Sequence, residues 1–283
     1  MNNAFINQPH AAKTFFAYTL FGTLALKIFL AAFFPMTGDE AFFNLWGVDP
    51  AWGYSDHPPM IGWWLALLNT ISDHPLVLRS LTVVLTTAVA LLIVDMLSRA
   101  LPPGQVATAW WMGSIYLVMP WSWMFVLVTT DTPLILFMTL TVWCLVRAES
   151  ADNQRPFIHY ACAGVFLGLA FLSKYFAALL GIAFAVYVLL ARRDRWWALL
   201  CVATMAMPFV IFNLVFNAYN GWPNILFNFI NRHDDSQWQW QTVLTYIVML
   251  VYLFTPWLIW KGASSKNTSI SDERKLLLLS LIH

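Results

Sequence analysis

Charged side chains are scarce in this chain. Lys, Arg, Asp and Glu make up only 10% of its 283 residues, whereas a soluble globular domain carries about 25%. Hydrophobic residues make up 60%, and the mean hydropathy is +0.66. One core in a soluble domain of this length cannot bury so much apolar surface. The composition therefore excludes an ordinary soluble fold and indicates a chain that lies in a lipid bilayer.

The chain also lacks an excess of positive charge and a framework of cysteines. Its formal net charge is +1, which argues against a nucleic-acid partner, because such a partner favours a basic face. The three cysteines, Cys144, Cys162 and Cys201, lie in apolar segments at spacings that suit neither a disulfide framework nor a zinc site. They are interpreted as small core residues, and no internal repeat or low-complexity tract accompanies them.

Long apolar runs recur along the whole chain. A helix needs about 20 apolar residues to cross the hydrocarbon core, so the sequence predicts an all-α, polytopic transmembrane helix bundle. The predicted spans are 14–34, 76–98, 105–123, 132–148, 157–173, 175–191, 196–217 and 241–260, with a further span opening at 276–283. Because that last run stops abruptly, residues 1–283 are expected to form the N-terminal transmembrane module of a longer protein. The first span carries Lys27 and has no convincing cleavage site, so it is predicted to be a retained helix.

Lys and Arg favour one orientation of the bundle. With a cytoplasmic N-terminus, eleven of the fifteen basic residues fall on the cytoplasmic side, and eight of the fourteen acidic residues fall outside. Basic residues in short loops mark the cytoplasmic side of a membrane protein. The apolar stretch 157–191 is too long for one helix and has Lys174 at its midpoint, so two helices are expected to meet at an external tip around residues 173–175.

The external loop 35–75 is long and amphipathic. Thr37 or Gly38 can cap a short helix that carries Asp39 and Glu40 in its first turn, where acidic side chains suit the helix dipole. Asp56 can cap a second helix, with Pro58 and Pro59 in its first turn. Both helices are expected to lie in the membrane interface. A non-catalytic interpretation is also open for each of these residues. Asp39 and Glu40 would be two solvated acids at a helix start, Asp56 a simple helix cap, and His57 an interfacial histidine.

Three further external segments carry polar side chains. Asp131 stands at the mouth of a span, where it either caps the helix or joins a site. Lys174 is isolated among apolar residues and is therefore either a snorkelling lysine or a functional one. The last segment contains Asn217, Asn220, Arg232 and His233. Together with loop 35–75, these segments are predicted to place acids and cations on one face of the membrane.

These pieces, in this order, resemble the membrane glycosyltransferases of the dolichyl-phosphate-mannose protein mannosyltransferase superfamily, clan GT-C, and above all its bacterial branch near the lipid A aminoarabinose transferases. The matching stretches are GDEAFFNLW, YSDHPPMIGWW, LVLRSLTVVL, TTDTPLILFMTL, LGLAFLSKYFAALL and NLVFNAYNGWPNILF. The resemblance implies a sugar donor carried on a polyprenyl phosphate and transferred, with inversion, on the external face of a bacterial inner membrane. The implied partners are membrane lipid and a glycan, lipid or protein acceptor. Lipopolysaccharide modification and protein glycosylation are both roles that this family implies.

The resemblance also implies roles for individual residues. Asp39 matches the catalytic base that opens the first external loop, and Glu40 is its neighbour in the same pair. Asp56 matches the acid before the proline-containing turn. At position 57 the aminoarabinose branch has a lysine that faces the carrier phosphate, whereas this chain has His57, whose charge at neutral pH depends on its surroundings. Lys174 matches a family lysine at the end of the helix pair and is the expected phosphate partner.

The sequence also offers further site candidates, expectations about metals and cofactors, and two rival functions. Behind Lys174, Arg232 and His57 are further candidates for binding the donor phosphate. Asp131 and His233 are other site candidates, and Arg232 and His233 correspond loosely to a family histidine. No metal site is predicted, a divalent metal is left open, and no soluble cofactor is required. Two rival functions remain open: a transporter or flippase of lipids or sugars, since intramembrane charges also mark transport paths, and an inactive assembly subunit that keeps the scaffold.

Overall fold

The computed structural model describes residues 8–102, 104–119, 122–123, 126–150, 153–230 and 240–254. The described residues form α-helices, turns and one short 3₁₀-helix, and none of them forms a β-strand. The helices are α1 (Pro9–Phe33), α2 (Gly38–Val48), α3 (Met60–Asn69), α4 (Pro75–Ala100), α5 (Val106–Val118), α6 (Asp131–Glu149), α7 (Pro156–Phe171), α8 (Ala177–Ala191), α9 (Trp196–Tyr219), α10 (Pro223–Phe229) and α11 (Trp240–Phe254), with the 3₁₀-helix Arg193–Arg195 before α9. The all-α prediction is confirmed.

Helix length and composition identify an integral membrane protein. Among the described residues, four segments are long and apolar enough to cross a membrane: Pro9–Phe33, Pro75–Ala100, Asp131–Glu149 and Arg193–Tyr219. Helices α5, α7 and α8 also occupy predicted spans, but they have 13, 16 and 15 residues, fewer than the roughly 20 that a straight crossing needs. Helix α11 begins at the predicted span 241–260, while residues 255–260 and 276–283 lie outside the described part of the chain.

The long apolar stretch around Lys174 divides as the sequence predicts. Helix α7 ends at Phe171 and α8 begins at Ala177, so a turn of five residues carries Lys174 between them. Backbone hydrogen bonds from Lys174 N to Ala170 O and from Ala177 N to Lys174 O, of 3.0 and 3.1 Å, close this turn. The chain thereby reverses direction, and the tip is left at one end of the bundle.

Close packing of α7 against α9 depends on two glycines spaced four residues apart. A Cβ atom added at Gly164 would lie 2.5 Å from the backbone oxygen of Val202 and 2.6 Å from Met205 Cβ. A Cβ atom at Gly168 would collide with the ring of Phe209. Small residues at this spacing let membrane helices approach closely, because lipid supplies no hydrophobic force to hold helices together. These glycines therefore set the distance between α7 and α9.

Helix α2 begins as predicted, but α3 does not. Thr37 is the N-cap of α2: its hydroxyl accepts from Glu40 N, and Glu40 Oε2 accepts from Thr37 N at 3.0 Å. Asp56 does not cap α3, since that helix begins at Met60 with Pro59 as its N-cap and no side-chain cap hydrogen bond. The prediction for Asp56 was wrong because residues 54–57 form a separate turn, closed by Tyr54 N donating to His57 O at 3.1 Å.

Candidate active site

Contacts between distant segments gather the predicted polar loops at one end of the bundle. Met60 N donates to Leu172 O at 3.2 Å, which joins the start of α3 to the tip after α7. Val128 N donates to Glu40 Oε1 at 3.0 Å, which joins α2 to the segment before α6. We call this end, formed by residues 37–40, 54–57, 128–131 and 172–176, the acidic end.

Glu40 is buried and fully engaged at the acidic end. Its two carboxylate oxygens accept from Arg79 Nε and Nη2, each at 2.7 Å, and the Arg79 and Glu40 side chains are 1% and 3% exposed. Burial alone raises the pKa of Glu40, but hydrogen bonds from Arg79, Thr37 and Val128 outweigh it, so the pKa lies below its usual value. Glu40 is therefore not a solvated acid at a helix start; it holds α2 in place.

Arg79 extends the same anchor to the end of α1. Its Nη1 donates to the backbone oxygens of Ala31 and Phe34 at 3.2 and 2.7 Å, and its Nη2 donates to Pro35 O at 3.1 Å. These carbonyls belong to the last turn of a helix and the residues after it, which have no partner within the helix. One guanidinium thus ties together α1, α2 and α4.

Asp39 differs from its neighbour because it is exposed. It lies one helical turn before Phe43, and residues four apart share a helix face. The rings of Phe43 and Trp46 lie 6.1 and 5.9 Å from the His57 ring. Asp39 therefore occupies the start of the α2 face that turns toward the 54–57 loop.

Asp56 and His57 form a close pair in that loop. Asp56 Oδ2 lies 3.0 Å from His57 Nδ1, although the groups are not aligned for a hydrogen bond. The other carboxylate oxygen, Asp56 Oδ1, is buried and has no hydrogen-bond partner among the described residues. A buried carboxylate oxygen without a hydrogen-bond donor is uncommon, so this oxygen retains the capacity to accept a hydrogen bond.

Lys174 is paired with Asp131. Its Nζ donates to Asp131 Oδ1 at 2.7 Å, and the two side chains are 26% and 36% exposed. Asp131 is the first residue of α6 and does not cap it, because Thr130 is the N-cap and no side-chain cap hydrogen bond forms. An ammonium has three N–H donors, so Lys174 can donate to Asp131 and to a second anion at the same time.

Sequence reasoning missed a set of amides that hold the 54–57 loop. Asn228 Nδ2 donates to Asp56 O at 3.1 Å, and Asn224 Nδ2 donates to the backbone oxygens of Tyr54 and His57. Both asparagines lie in α10, four residues apart and hence on one face. The four-residue spacing of the two asparagines in NILFN is a signal in the sequence, but it does not indicate that their partners lie about 170 residues away.

Two predicted site residues and the prediction about a metal site remain to be compared with the structure. Arg232 and His233 lie outside the described residues. No cluster of three or more His, Cys, Asp or Glu side chains suited to a metal ion occurs in the part of the chain that the structure describes. The structure brings six of the predicted site residues to one end of the bundle: Asp39, Glu40, Asp56, His57, Asp131 and Lys174.

A bundle of membrane-spanning helices with carboxylates and a lysine gathered at one end defines a polytopic membrane protein with a polar surface site. The chain belongs to the dolichyl-phosphate-mannose-protein mannosyltransferase family, whose sequence pattern matches residues 56–216, more than half of the chain. The match includes Asp56, His57, Asp131 and Lys174, and it begins after Asp39 and Glu40.

The chain is also similar to a curated bacterial protein, the lipid A galacturonosyltransferase RgtD of Rhizobium johnstonii. The two are 28% identical over 207 residues, which make up 70% of this chain and 42% of that protein. The chain thus spans less than half the length of this relative. No solved structure matches the chain. The resemblance to bacterial GT-C glycosyltransferases is confirmed by the family and the relative.

Proposed function

We propose that this chain forms the membrane module of a glycosyltransferase that moves a sugar from a polyprenyl-phosphate donor to an acceptor, with Asp39 as the general base. Membership of the mannosyltransferase family supports this reaction class. The observation that carries the proposal is the acidic end itself, where Asp39, Asp56 and Asp131 share one end of the bundle with Lys174. Transfer from a phosphate carrier needs both a base and a cation, and these groups supply both.

Asp39 takes the proton of the acceptor hydroxyl as the acceptor oxygen attacks the anomeric carbon of the donor. The bond between that carbon and the carrier phosphate oxygen breaks, and the phosphate leaves with the electron pair. A single displacement of this kind inverts the anomeric centre. A positioned base contributes about 10² to 10⁴-fold in rate. Asp39 suits this role better than Glu40, because Asp39 is exposed while both oxygens of Glu40 are engaged.

Lys174 stabilises the departing phosphate. Its ammonium is held at the tip by Asp131 and is about one quarter exposed, so a lipid headgroup can reach it. Fixed positive charge aimed at the charge that develops in the transition state is a major source of catalysis. His57 and Arg232 are secondary phosphate partners, and Asp56 orients the acceptor or supports the loop.

The site faces the non-cytoplasmic side in this proposal, and the membrane is a bacterial inner membrane. The opposite end of the bundle supports that orientation because it is rich in arginines: Arg99 and Arg147 contact Asp95, and Arg192 and Arg195 contact Glu149. Basic residues concentrate on the cytoplasmic side. The name of the RgtD relative makes a lipid acceptor the first candidate, with glycans and proteins after it.

One assay tests the proposal as a whole. Membranes that hold the full-length protein are incubated with a lipid acceptor and with polyprenyl-phosphate sugars, including polyprenyl-phosphate galacturonic acid. Release of carrier phosphate together with a glycosylated acceptor is the expected result. Movement of the intact donor across the bilayer without release of carrier phosphate would contradict the proposal and indicate a flippase.

A further inference from the structure

Asn224 lies where three separate segments meet. Its side chain is fully buried, with 0% exposure, and it contacts the 54–57 loop, the turn after α7 and the end of α9. Buried amides in proteins are almost always hydrogen-bonded. Here the partners belong to segments that carry three of the proposed site residues, Asp56, His57 and Lys174.

Toward the 54–57 loop, Asn224 acts as a donor. Its Nδ2 donates to Tyr54 O and, at 3.4 Å, to His57 O. Asn228, one turn further along α10, donates to Asp56 O at 3.1 Å. A backbone carbonyl can only accept, so these positions require an N–H donor, and a carboxylate of the same shape cannot replace either amide.

Toward the turn after α7, Asn224 acts as an acceptor. Its Oδ1 lies 2.6 Å from the hydroxyl of Tyr175, the residue next to Lys174. The Tyr175 hydroxyl also lies 3.0 Å from Asn213 Oδ1, and Asn217 Oδ1 accepts from Asn224 N at 3.2 Å. The two ends of one amide thus contact the loop of Asp56 and the turn of Lys174.

The backbone at Trp222, two residues before Asn224, is in a strained conformation. Gly221 and Trp222 precede α10 with φ angles of +76° and +62°, and Trp222 N donates to Asn217 O at 2.7 Å. The left-handed region is uncommon for a bulky residue and persists only where the surrounding structure holds it. This turn separates α9 from α10, and α10 contacts the 54–57 loop through Asn224 and Asn228.

We propose that Asn224, assisted by Asn228, is a positioning residue that fixes the distance between the Asp56–His57 loop and Lys174. This inference rests on the proposed function, because the distance matters to catalysis only if both groups act on one donor and acceptor pair. A displacement of about 1 Å in an active site can lower the rate about 10²-fold. Loss of the amide is therefore expected to lower kcat far more than it raises the KM for the donor.

The test compares Asn224→Asp and Asn228→Asp with Asn220→Asp in the full-length protein. Each change replaces the side-chain NH2 group with a carboxylate oxygen of nearly the same shape, which can only accept a hydrogen bond. Asn220 is the matched control, because it is exposed and, among the described residues, its Nδ2 donates only to Phe216 O in the last turn of α9, directly before it. Asn228 is only half-buried, so Asn228→Asp keeps the test valid if Asn224→Asp fails to fold.

A spin-label measurement provides a readout that does not depend on catalysis. Labels are placed on Ser55→Cys and Phe176→Cys, both exposed positions, after the three native cysteines have been changed to Ala. The protein with unaltered asparagines, and Asn220→Asp, should give one narrow distance distribution. Asn224→Asp and Asn228→Asp should broaden or shift it, and in the unlabelled protein they should lower kcat about 10²-fold.

The outcomes separate this inference from the proposed function. Unchanged distances in both test variants would overturn the positioning role, whatever happens to activity, and so would changed distances with an unchanged kcat. If the unaltered protein releases no carrier phosphate at all, the proposed function fails and the catalytic part of this inference fails with it. The label distances still decide whether the amides hold the loop.

Discussion

Glu40 and Arg79 form a two-bonded ion pair that is almost completely removed from solvent. Both bonds are 2.7 Å long, and the pair connects α2 to α4 across 39 residues of sequence. Adjacent acids therefore have different surroundings: Glu40 anchors the short helix, and Asp39 beside it is exposed. The Glu40–Arg79 ion pair therefore fixes the position of the turn of α2 that carries Asp39.

Asp39→Asn should abolish transfer while leaving expression and membrane insertion unchanged. The amide keeps the size of the side chain but cannot accept the proton of the acceptor, so the loss should be about 10²-fold or more. The measurement is release of carrier phosphate by the full-length protein. Asp49→Asn, at the other end of the same helix and also exposed, is the matched control and should retain activity. Activity of Asp39→Asn within a few-fold of the unaltered protein would remove Asp39 from the mechanism.

Glu40→Gln should destabilise the protein instead. Removing one partner leaves the buried Arg79 charge uncompensated, which costs about 3 to 5 kcal/mol for pairs of this kind. Thermal unfolding of the detergent-solubilised protein measures this loss, with Asp49→Asn as the control. A stability equal to that of the unaltered protein would show that the ion pair does not hold α2.

The same pair predicts a dependence of stability on pH. The pKa of Glu40 is lower in the folded protein than its ordinary value of 4.5, so the charged carboxylate stabilises the fold. Its contribution is fully present above about pH 4.5 and is lost as the pH falls through the lowered folded pKa. Melting temperatures measured from pH 7 down to pH 3 should fall for the unaltered protein and fall less for Glu40→Gln. Parallel curves for the two proteins would contradict this assignment.

Lys174→Met should weaken use of the donor more than use of the acceptor. The Lys174–Asp131 pair is partly exposed, and such pairs contribute only about 0 to 1 kcal/mol to stability, so the melting temperature should change little. Steady-state kinetics with varied donor should show a higher KM or a lower kcat/KM for the donor. Lys13→Met, an exposed lysine in α1, is the control. Unchanged donor kinetics would make Lys174 a snorkelling lysine.

Gly164→Ala should loosen the contact between α7 and α9. The added methyl group would meet the Val202 backbone, which cannot move aside like the end of a flexible side chain. Overpacking of this kind costs about 1 to 3 kcal/mol. The control is Gly22→Ala, a helical position where an added Cβ meets nothing within 4 Å. Thermal unfolding should distinguish the two variants, and equal melting temperatures would contradict the packing described here.

Local features of the fold were predictable, and contacts across long stretches of sequence were not. Thr37 as a helix cap and the chain reversal at Lys174 follow from neighbouring residues, and both are confirmed. The partners of Glu40 and Asn224 lie 39 and 170 residues away. Such partners are fixed by how the helices pack, which local patterns do not report. The same limit explains the error at Asp56, whose turn is held by α10 rather than by the start of α3.

Lys27 has a consequence for biosynthesis. Its side chain is fully buried in α1, and its amine donates to Thr86 Oγ1 at 3.2 Å and to Thr87 Oγ1 at 3.4 Å, both in α4. A lysine within a membrane helix opposes insertion by up to about 3 kcal/mol. Thr86 follows 59 residues later, and a ribosome that adds about 5 to 20 residues per second needs several seconds to reach it. The hydroxyl partners of Lys27 therefore do not exist when α1 is translated, and α1 can dock onto α4 only after α4 has been translated.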